Sequence, residues 1–330
     1  MAHGCQRAQG QGSRPRVFGK THMIHINETQ SSRLISHEMA FAAITRALIA
    51  AASPAASIFP VVLGHASDPQ NRFTIKSGAD AELTGLKIGS YFPTNDRLGL
   101  PRHDSVILLF DQTKGKIGAI VEAGKLNAYR TAAADAVATD ILARKDASTV
   151  ALFGTGHQAE YEALALSHIR PLKKILVVGR DPVRTQFFAQ HLQSKGLPAE
   201  MSRAEQACAA ADMIVTATTA TAPLFHARWV QAGTHISSMG SDDTGKQELP
   251  PDLFHKAKLF CDLPEQSRRI GEFQHADANL QLTAIGDVLS GKTRGRVSAE
   301  DITIFDSSGL SLQDLYIARA IIKAHMECSP

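Results

Sequence analysis

Cysteine and tryptophan are scarce in this chain of 330 residues, which holds four cysteines, one tryptophan and four tyrosines. Cys5, Cys208, Cys261 and Cys328 are far apart, form no CxxC pair and have no histidines at metal-ligand spacing. A disulfide framework and a metal site therefore have no support, and reduced thiols in a cytoplasmic protein are expected. No apolar run reaches the ~20 residues that span a bilayer. An excess of one charge is lacking too. The formal net charge is +3, but Arg7, Arg14, Arg16 and Lys20 fall in the first 22 residues without an acid, so the remainder sums to about −1. Neither nucleic acid nor an anionic membrane is implied as a partner. Residues 1–22 also lack an apolar period and the apolar centre of a secretory signal, so they read as an unstructured extension ahead of Met23. No internal repeat is evident.

What the chain does have is an ordinary globular composition, 44% hydrophobic and 20% charged, and enough length for two modest domains. Its most informative segment is VALFGTGHQA at 150–159. An apolar strand there runs into Gly154-x-Gly156-x-x-Ala159 and then a helix. Gly154 permits a tight turn, and Gly156 lets an anion approach the main-chain N–H groups. Ala159 allows helix and strand to pack closely, with the helix N-terminus facing the anion. A second strand at 174–178 completes a βαβ unit. This is a cradle for the pyrophosphate of a nicotinamide dinucleotide, expected to be contacted by Gly154, Thr155, Gly156, His157, Gln158 and Ala159.

Around this unit, strands at 149–153, 174–178, 213–217, 234–239 and 257–261 alternate with helical stretches, the pattern of a doubly wound parallel sheet. Before it, residues 36–52 read as an amphipathic helix. β-rich segments follow at 59–63, 72–76, 83–92, 105–111 and 119–122. An alanine-heavy helix at 128–144 links the two regions. After a strand at 303–306 and a turn at Gly309, a last helix is expected over 312–325 and should fold back on the first domain. The fold class is thus α/β, a Rossmann-type domain over 128–304 plus a discontinuous β-rich α+β domain over 23–127 and 305–330 for substrate binding and dimerisation.

Six ordered motifs carry a resemblance: GLKIGSYFPTN at 85–95, LFDQTKG at 109–115, AYRTAAADAVA at 128–138, FGTGHQA at 153–159, GSDDTGKQEL at 240–249 and FDSSGLSLQDL at 305–315. Together they resemble the ornithine cyclodeaminase/mu-crystallin family over nearly everything after residue 23. The resemblance implies an NAD(P)-dependent enzyme of amino-acid metabolism, a homodimer through the β-rich domain, and a set of site residues. Lys87, by spacing alone an ordinary edge lysine, matches the family's active-site lysine. Arg130 matches its carboxylate-binding arginine, whose planar fork suits bidentate capture. Asp242 matches the aspartate that handles the substrate amine. In a reductase it could protonate nitrogen if burial raises its pKa, although adjacent Asp243 leaves the register open.

The family's second carboxylate-binding arginine is missing near Leu63, which leaves Arg72 and Lys76 as replacements. A cation at Lys76 facing the substrate would repel a δ-ammonium and favour a second carboxylate or a neutral ring. At the end of strand 174–178, Arg180 suits a 2′-phosphate, with Arg184 nearby, whereas Asp181 could accept from a ribose 2′-OH. NADPH is therefore expected ahead of NADH. Thr216, Ala217, Thr218, Met239, Ser308 and Gly309 are expected along the cofactor. His103 and His157 have no nucleophile to activate and read as surface or backbone-bonded histidines. The expected activity is NAD(P)H-dependent reduction of a small α-imino acid, with Δ1-pyrroline-2-carboxylate or its piperideine homologue foremost, giving proline or pipecolate. Iminosuccinate reduction, ornithine cyclodeamination, alanine dehydrogenation and non-catalytic dinucleotide-dependent binding are the alternatives.

Overall fold

The computed structural model describes residues 23–328, so the expected N-terminal extension lies outside the described residues. The first domain is a mixed sheet of seven strands: β1 (Ile24–Ile26), β2 (Ser57–Ile58), β3 (Val62–His65), β4 (Arg72–Ala79), β5 (Thr84–Tyr91), β6 (His103–Asp111) and β7 (Lys116–Glu122). They run in the order β1-β7-β6-β5-β4-β2, with β3 also on β4. The strand expected at 59–63 is split, because Pro60 has no N–H to donate to a ladder. One face of the sheet is covered by α9 (Ser311–Cys328), which packs on β4, β5 and β6, and helix α2 (His37–Ala51) packs in turn on α9.

Local signals fix these helices. Short α1 (Glu28–Leu34) starts with a capping box between Asn27 and Gln30, and Ser36 caps α2 through the amide of Met39. Ala40, Ala43, Ile44, Ala47, Leu48 and Ala51 form the buried stripe of α2 at a helical period. Among the described residues no single helix is long and apolar enough to cross a membrane. Helix α3 (Gly124–Leu142) begins four residues before the expected 128, because the Glu28 carboxylate accepts from the amides of Gly124 and Lys125, both at 2.9 Å. Its small side chains let α2 and helix α4 (His157–Ile169) pack close to it.

The second sheet is wholly parallel. It contains β8 (Thr149–Phe153), β9 (Lys174–Val178), β10 (Ala199–Met201), β11 (Met213–Thr216), β12 (His235–Ser238), β13 (Ala257–Cys261), β14 (Leu282–Ala284) and β15 (Ile302–Asp306). Its order is β10-β9-β8-β11-β12-β15-β13-β14. The chain leaves β8 in one direction for β9 and returns on the other side as β11, so a crevice opens beyond the carboxyl ends of β8 and β11. Helices α4, α5 (Pro182–Ser194), α6 (Ala204–Ala210), α7 (Pro264–Ile270) and α8 (Ile285–Leu289) make the connections. β15 pairs in parallel with both β12 and β13, so the sheet continues through Asp306, past the boundary expected at 304/305. Five residues later α9 begins, and the chain is back on the first domain.

Candidate active site

The β8–α4 turn has the shape its glycines require. Gly154 sits at φ +130°, and a Cβ there would lie 2.6 Å from the Ala217 carbonyl oxygen. Gly156 caps α4 without a side-chain hydrogen bond, and a Cβ on it would meet nothing within 4 Å. The first turn of α4, from His157 to Ala159, is thus a helix N-terminus beside open space, which fits a dinucleotide pyrophosphate. Ala159 is fully buried against the core. The Gln158 side chain turns inward, donating to Glu162 at 2.8 Å and to the Ala128 carbonyl at 3.3 Å. Thr155 offers its carbonyl to Arg184 at 3.4 Å.

At the end of β9, Asp181 caps α5, its Oδ1 accepting from the amides of Val183 at 2.9 Å and Arg184 at 3.2 Å. Arg180 is exposed beside it. Thr216 does not line the crevice. It is fully buried and donates to Glu248 at 2.7 Å, so it supports the crevice floor, as does Met239 at 6% exposure. Ala217 and Thr218 are half-buried where the crevice opens.

Three cations face this crevice, two from the first sheet and one from α3. Lys76 on β4 and Lys87 on β5 are direct cross-strand partners, so their side chains leave the sheet on the same face. Lys87 is 4% exposed and donates to Asn127 and Asp314, both at 3.0 Å. Burial, then repulsion by Arg130 and Lys76, outweighs the pull of Asp314 and brings its pKa down to about 7. Arg130, one turn into α3, donates to Asn127 from Nε at 3.2 Å and from Nη2 at 3.0 Å, and lies 3.4 Å from Asp314. Lys76 donates to the carbonyls of Ser308 and Gly309, each at 3.0 Å. Its pKa is lowered by burial and by Arg130, against the opposing pull of Asp242, Asp314 and Asp262. Gly309, at φ +78°, lets the chain lie on these cations, since a Cβ there would come within 2.6 Å of Arg130 Nη1.

Arg72 falls outside this cluster. It is exposed on β4 and faces Asp243 at 3.7 Å, a contact between the two domains at the crevice rim. Leu63, where an arginine was expected, is on β3 opposite Thr74 and 64% exposed. Asp242 is on the same loop as Asp243, with its Oδ1 2.5 Å from Lys246 Nζ. Crowding by the protein pushes its pKa up, but Lys246, then Lys76 and Arg130, outweigh this and hold the carboxyl below its usual range. The condition for Asp242 to act as an acid, a raised pKa, is therefore not met. The rings of His103 and Tyr91 lie 4.7 Å apart at a tilt of 32°, and those of His157 and Tyr161 4.8 Å apart at 52°.

Several supporting residues were not recognised in the sequence. Buried Glu248 accepts from the amide of Thr218 at 2.8 Å and that of Gly240 at 2.9 Å, tying the loop after β11 to the loop after β12. Glu272 lies beneath it and accepts from the Leu249 amide at 2.7 Å. Asp262 holds Gly309 through its amide at 2.6 Å, and Gln266 reaches Ser308 Oγ at 2.8 Å and the Gly309 carbonyl at 3.0 Å. Only QEL (247–249) and LQDL (312–315), within the motifs, hinted at Glu248 and Asp314.

Comparison with known proteins agrees with this geometry. The model of the ornithine cyclodeaminase/mu-crystallin family matches residues 20–328. A protein of Paracoccus denitrificans named iminosuccinate reductase is 36% identical over 308 residues, covering 91% of this chain and 96% of that protein. Its crystal structure in complex with NAD+ superposes with a TM-score of 0.86 over 93% of this chain and 97% of that one. An archaeal alanine dehydrogenase dimer with bound NAD has a TM-score of 0.86 at 29% identity, covering 92% of this chain and 96% of the other. The Thermococcus litoralis Δ1-pyrroline-2-carboxylate reductase, in complex with NADH and L-proline, has 0.84 at 26% identity, over 92% and 98%. The chain belongs to the ornithine cyclodeaminase/mu-crystallin family.

Proposed function

We propose that this chain is a nicotinamide-dependent reductase of small α-imino acids, and that its substrate carries two carboxylates, as iminosuccinate does. The observation that carries the reading is the direct pairing of Lys76 with Lys87 beside Arg130. Like charges opposite each other across a sheet destabilise it unless an anion lies between them. Asp314 pairs with Lys87 and Arg130, whereas Lys76 bonds backbone carbonyls, which leaves Arg130 and Lys76 with donors for a substrate of two carboxylates. Arg130 is suited to grip the α-carboxylate in its fork, and Lys76 has a hydrogen left for the distal carboxylate.

The β8–α4 turn would hold the dinucleotide, which when bound supplies the hydride. Lys87, with a pKa near neutrality, supports the role of proton source for the nitrogen. Asp242, ionised beside Lys246, serves as an anion that attracts the amine product. Because the Asp181 carboxylate is engaged in a helix cap, Arg180 is the better candidate to read the ribose, which favours NADPH. The NAD+ and NADH complexes of the relatives support NADH as the second reading.

The cyclic imine Δ1-pyrroline-2-carboxylate ranks second as substrate, because it has no group for Lys76. The deciding experiment follows cofactor oxidation with iminosuccinate, made from oxaloacetate and ammonia, against Δ1-pyrroline-2-carboxylate, each with NADPH and with NADH. Faster turnover of the dicarboxylate supports the reading, and turnover of the cyclic imine alone overturns the substrate assignment. Silence with every pair moves the chain toward non-catalytic binding.

We also propose a homodimer through the outer face of the first sheet. Val62, Phe73 and Ile88, whose strand positions alternate with those of Lys76 and Lys87, leave an apolar surface there at 52%, 37% and 38% exposure.

A further inference from the structure

We infer that Asp314 is a positioning residue that keeps the Lys87 ammonium charged and aimed at the substrate nitrogen. The inference deepens the proposed reaction, since it rests on Lys87 as the proton source. Asp314 stands in the first turn of α9, where the helix macrodipole favours a negative side chain. Its side chain is 2% exposed, and its Oδ1 takes the Lys87 hydrogen bond at 3.0 Å while lying 3.4 Å from Arg130 Nε. Oδ2 is buried without a partner among the described residues.

The surroundings of Lys87 show why this carboxylate matters. From β4 comes Lys76, from α3 come Arg130 and Asn127, from α9 comes Asp314, and β6 offers the apolar Ile107 opposite. Two cations and burial all favour the neutral amine. Asn127 is uncharged, and its Oδ1 is shared with two Arg130 nitrogens. Among the described residues that face Lys87 here, Asp314 is the one that brings a negative charge. Asp314 and Asn127 engage two of the three ammonium hydrogens, and the third is left for the crevice.

The Asp314→Asn variant keeps the shape and removes the charge. Two readouts apply: the pH profile of kcat for imine reduction, and the titration of Lys87 followed by NMR of protein carrying ε-13C lysine, assigned with Lys87→Met. We expect the falling alkaline limb of kcat and the Lys87 titration to move to lower pH together, by a unit or more. At pH 8 this is a loss of about tenfold or greater, shrinking toward pH 5, since one pKa unit is tenfold in the protonated fraction above the pKa. Asp314→Glu should bring both back toward the wild-type positions. A uniform loss at every pH with an unmoved Lys87 titration would show that Asp314 is merely structural, and would overturn the inference. If Asp314→Asn does not fold, Asp314→Ser takes its place, with room for a water beside Lys87. Should the wild type reduce no imine, the reaction proposed above fails, yet the NMR titration still decides whether Asp314 holds the charge on Lys87.

Discussion

Replacing Lys76 with methionine should erase discrimination between dicarboxylic and monocarboxylic imines. The thioether keeps the length of the stem and removes the charge. Two consequences are common to all substrates: the carbonyls of Ser308 and Gly309 lose their 3.0 Å donor, and Lys87 loses a repelling neighbour. Both cancel in the ratio of kcat/KM values for two imines, so the ratio isolates the contact with the distal carboxylate. A hydrogen bond from a charged donor is worth about 1.5–3 kcal/mol. That corresponds to a drop in the ratio of roughly 10- to 150-fold. The assay compares iminosuccinate with the imine of pyruvate, formed with ammonia, by cofactor oxidation in wild type and variant. A ratio that stays unchanged would show that Lys76 does no more than hold the 308–309 backbone, and the dicarboxylate assignment would fall with it.

Three further outcomes are expected. Arg180→Ala should weaken NADPH far more than NADH in fluorescence titrations, and equal losses would show that Arg180 does not read the 2′-phosphate. Glu272 is raised from 4.5 to about 7, by burial and by the charge of Glu248 against the amides that bond it. A carboxyl raised in this way holds its proton in the fold and loses it in the unfolded chain, so stability falls as pH rises from about 4.5 through about 7. The full effect is roughly 3 kcal/mol. Glu272→Gln should therefore flatten the pH dependence of urea midpoints between pH 5 and pH 8, and parallel curves for the two proteins would contradict this. Ile88→Asp should leave the site residues in place and give a monomer in light scattering, whereas an unchanged mass would rule out the outer sheet face as the interface.

The sequence was most legible where one short segment determines its own geometry. Gly154, Gly156 and Ala159 specify their turn because backbone conformation and close packing are local demands. Lys87, Arg130 and Asp242 were singled out through motifs, but their electrostatics were not, because these depend on how side chains are brought together in space. Lys246 holds Asp242 ionised, and Asp314 reaches Lys87 across 227 positions of sequence. Thr216 was expected along the cofactor but braces the loops through Glu248, since whether a side chain lines a crevice or braces it depends on which way it faces. Glu248 and Glu272 gave little sign of their function. A buried acid that bonds loop amides has no pattern of its own in sequence.

The position of β15 bears on how the protein is made. It enters the parallel sheet between β12 and β13, which are translated earlier, and α9 then covers the first sheet and brings Asp314 to Lys87. During synthesis the paired β13 and β14 stay separated from β12, and the first sheet lacks its covering helix, until β15 and α9 have emerged. A chain that lacks β15 and α9 therefore has neither a finished sheet nor the carboxylate that meets Lys87. The site thus takes shape only once strands and helices from both ends of the described chain have met.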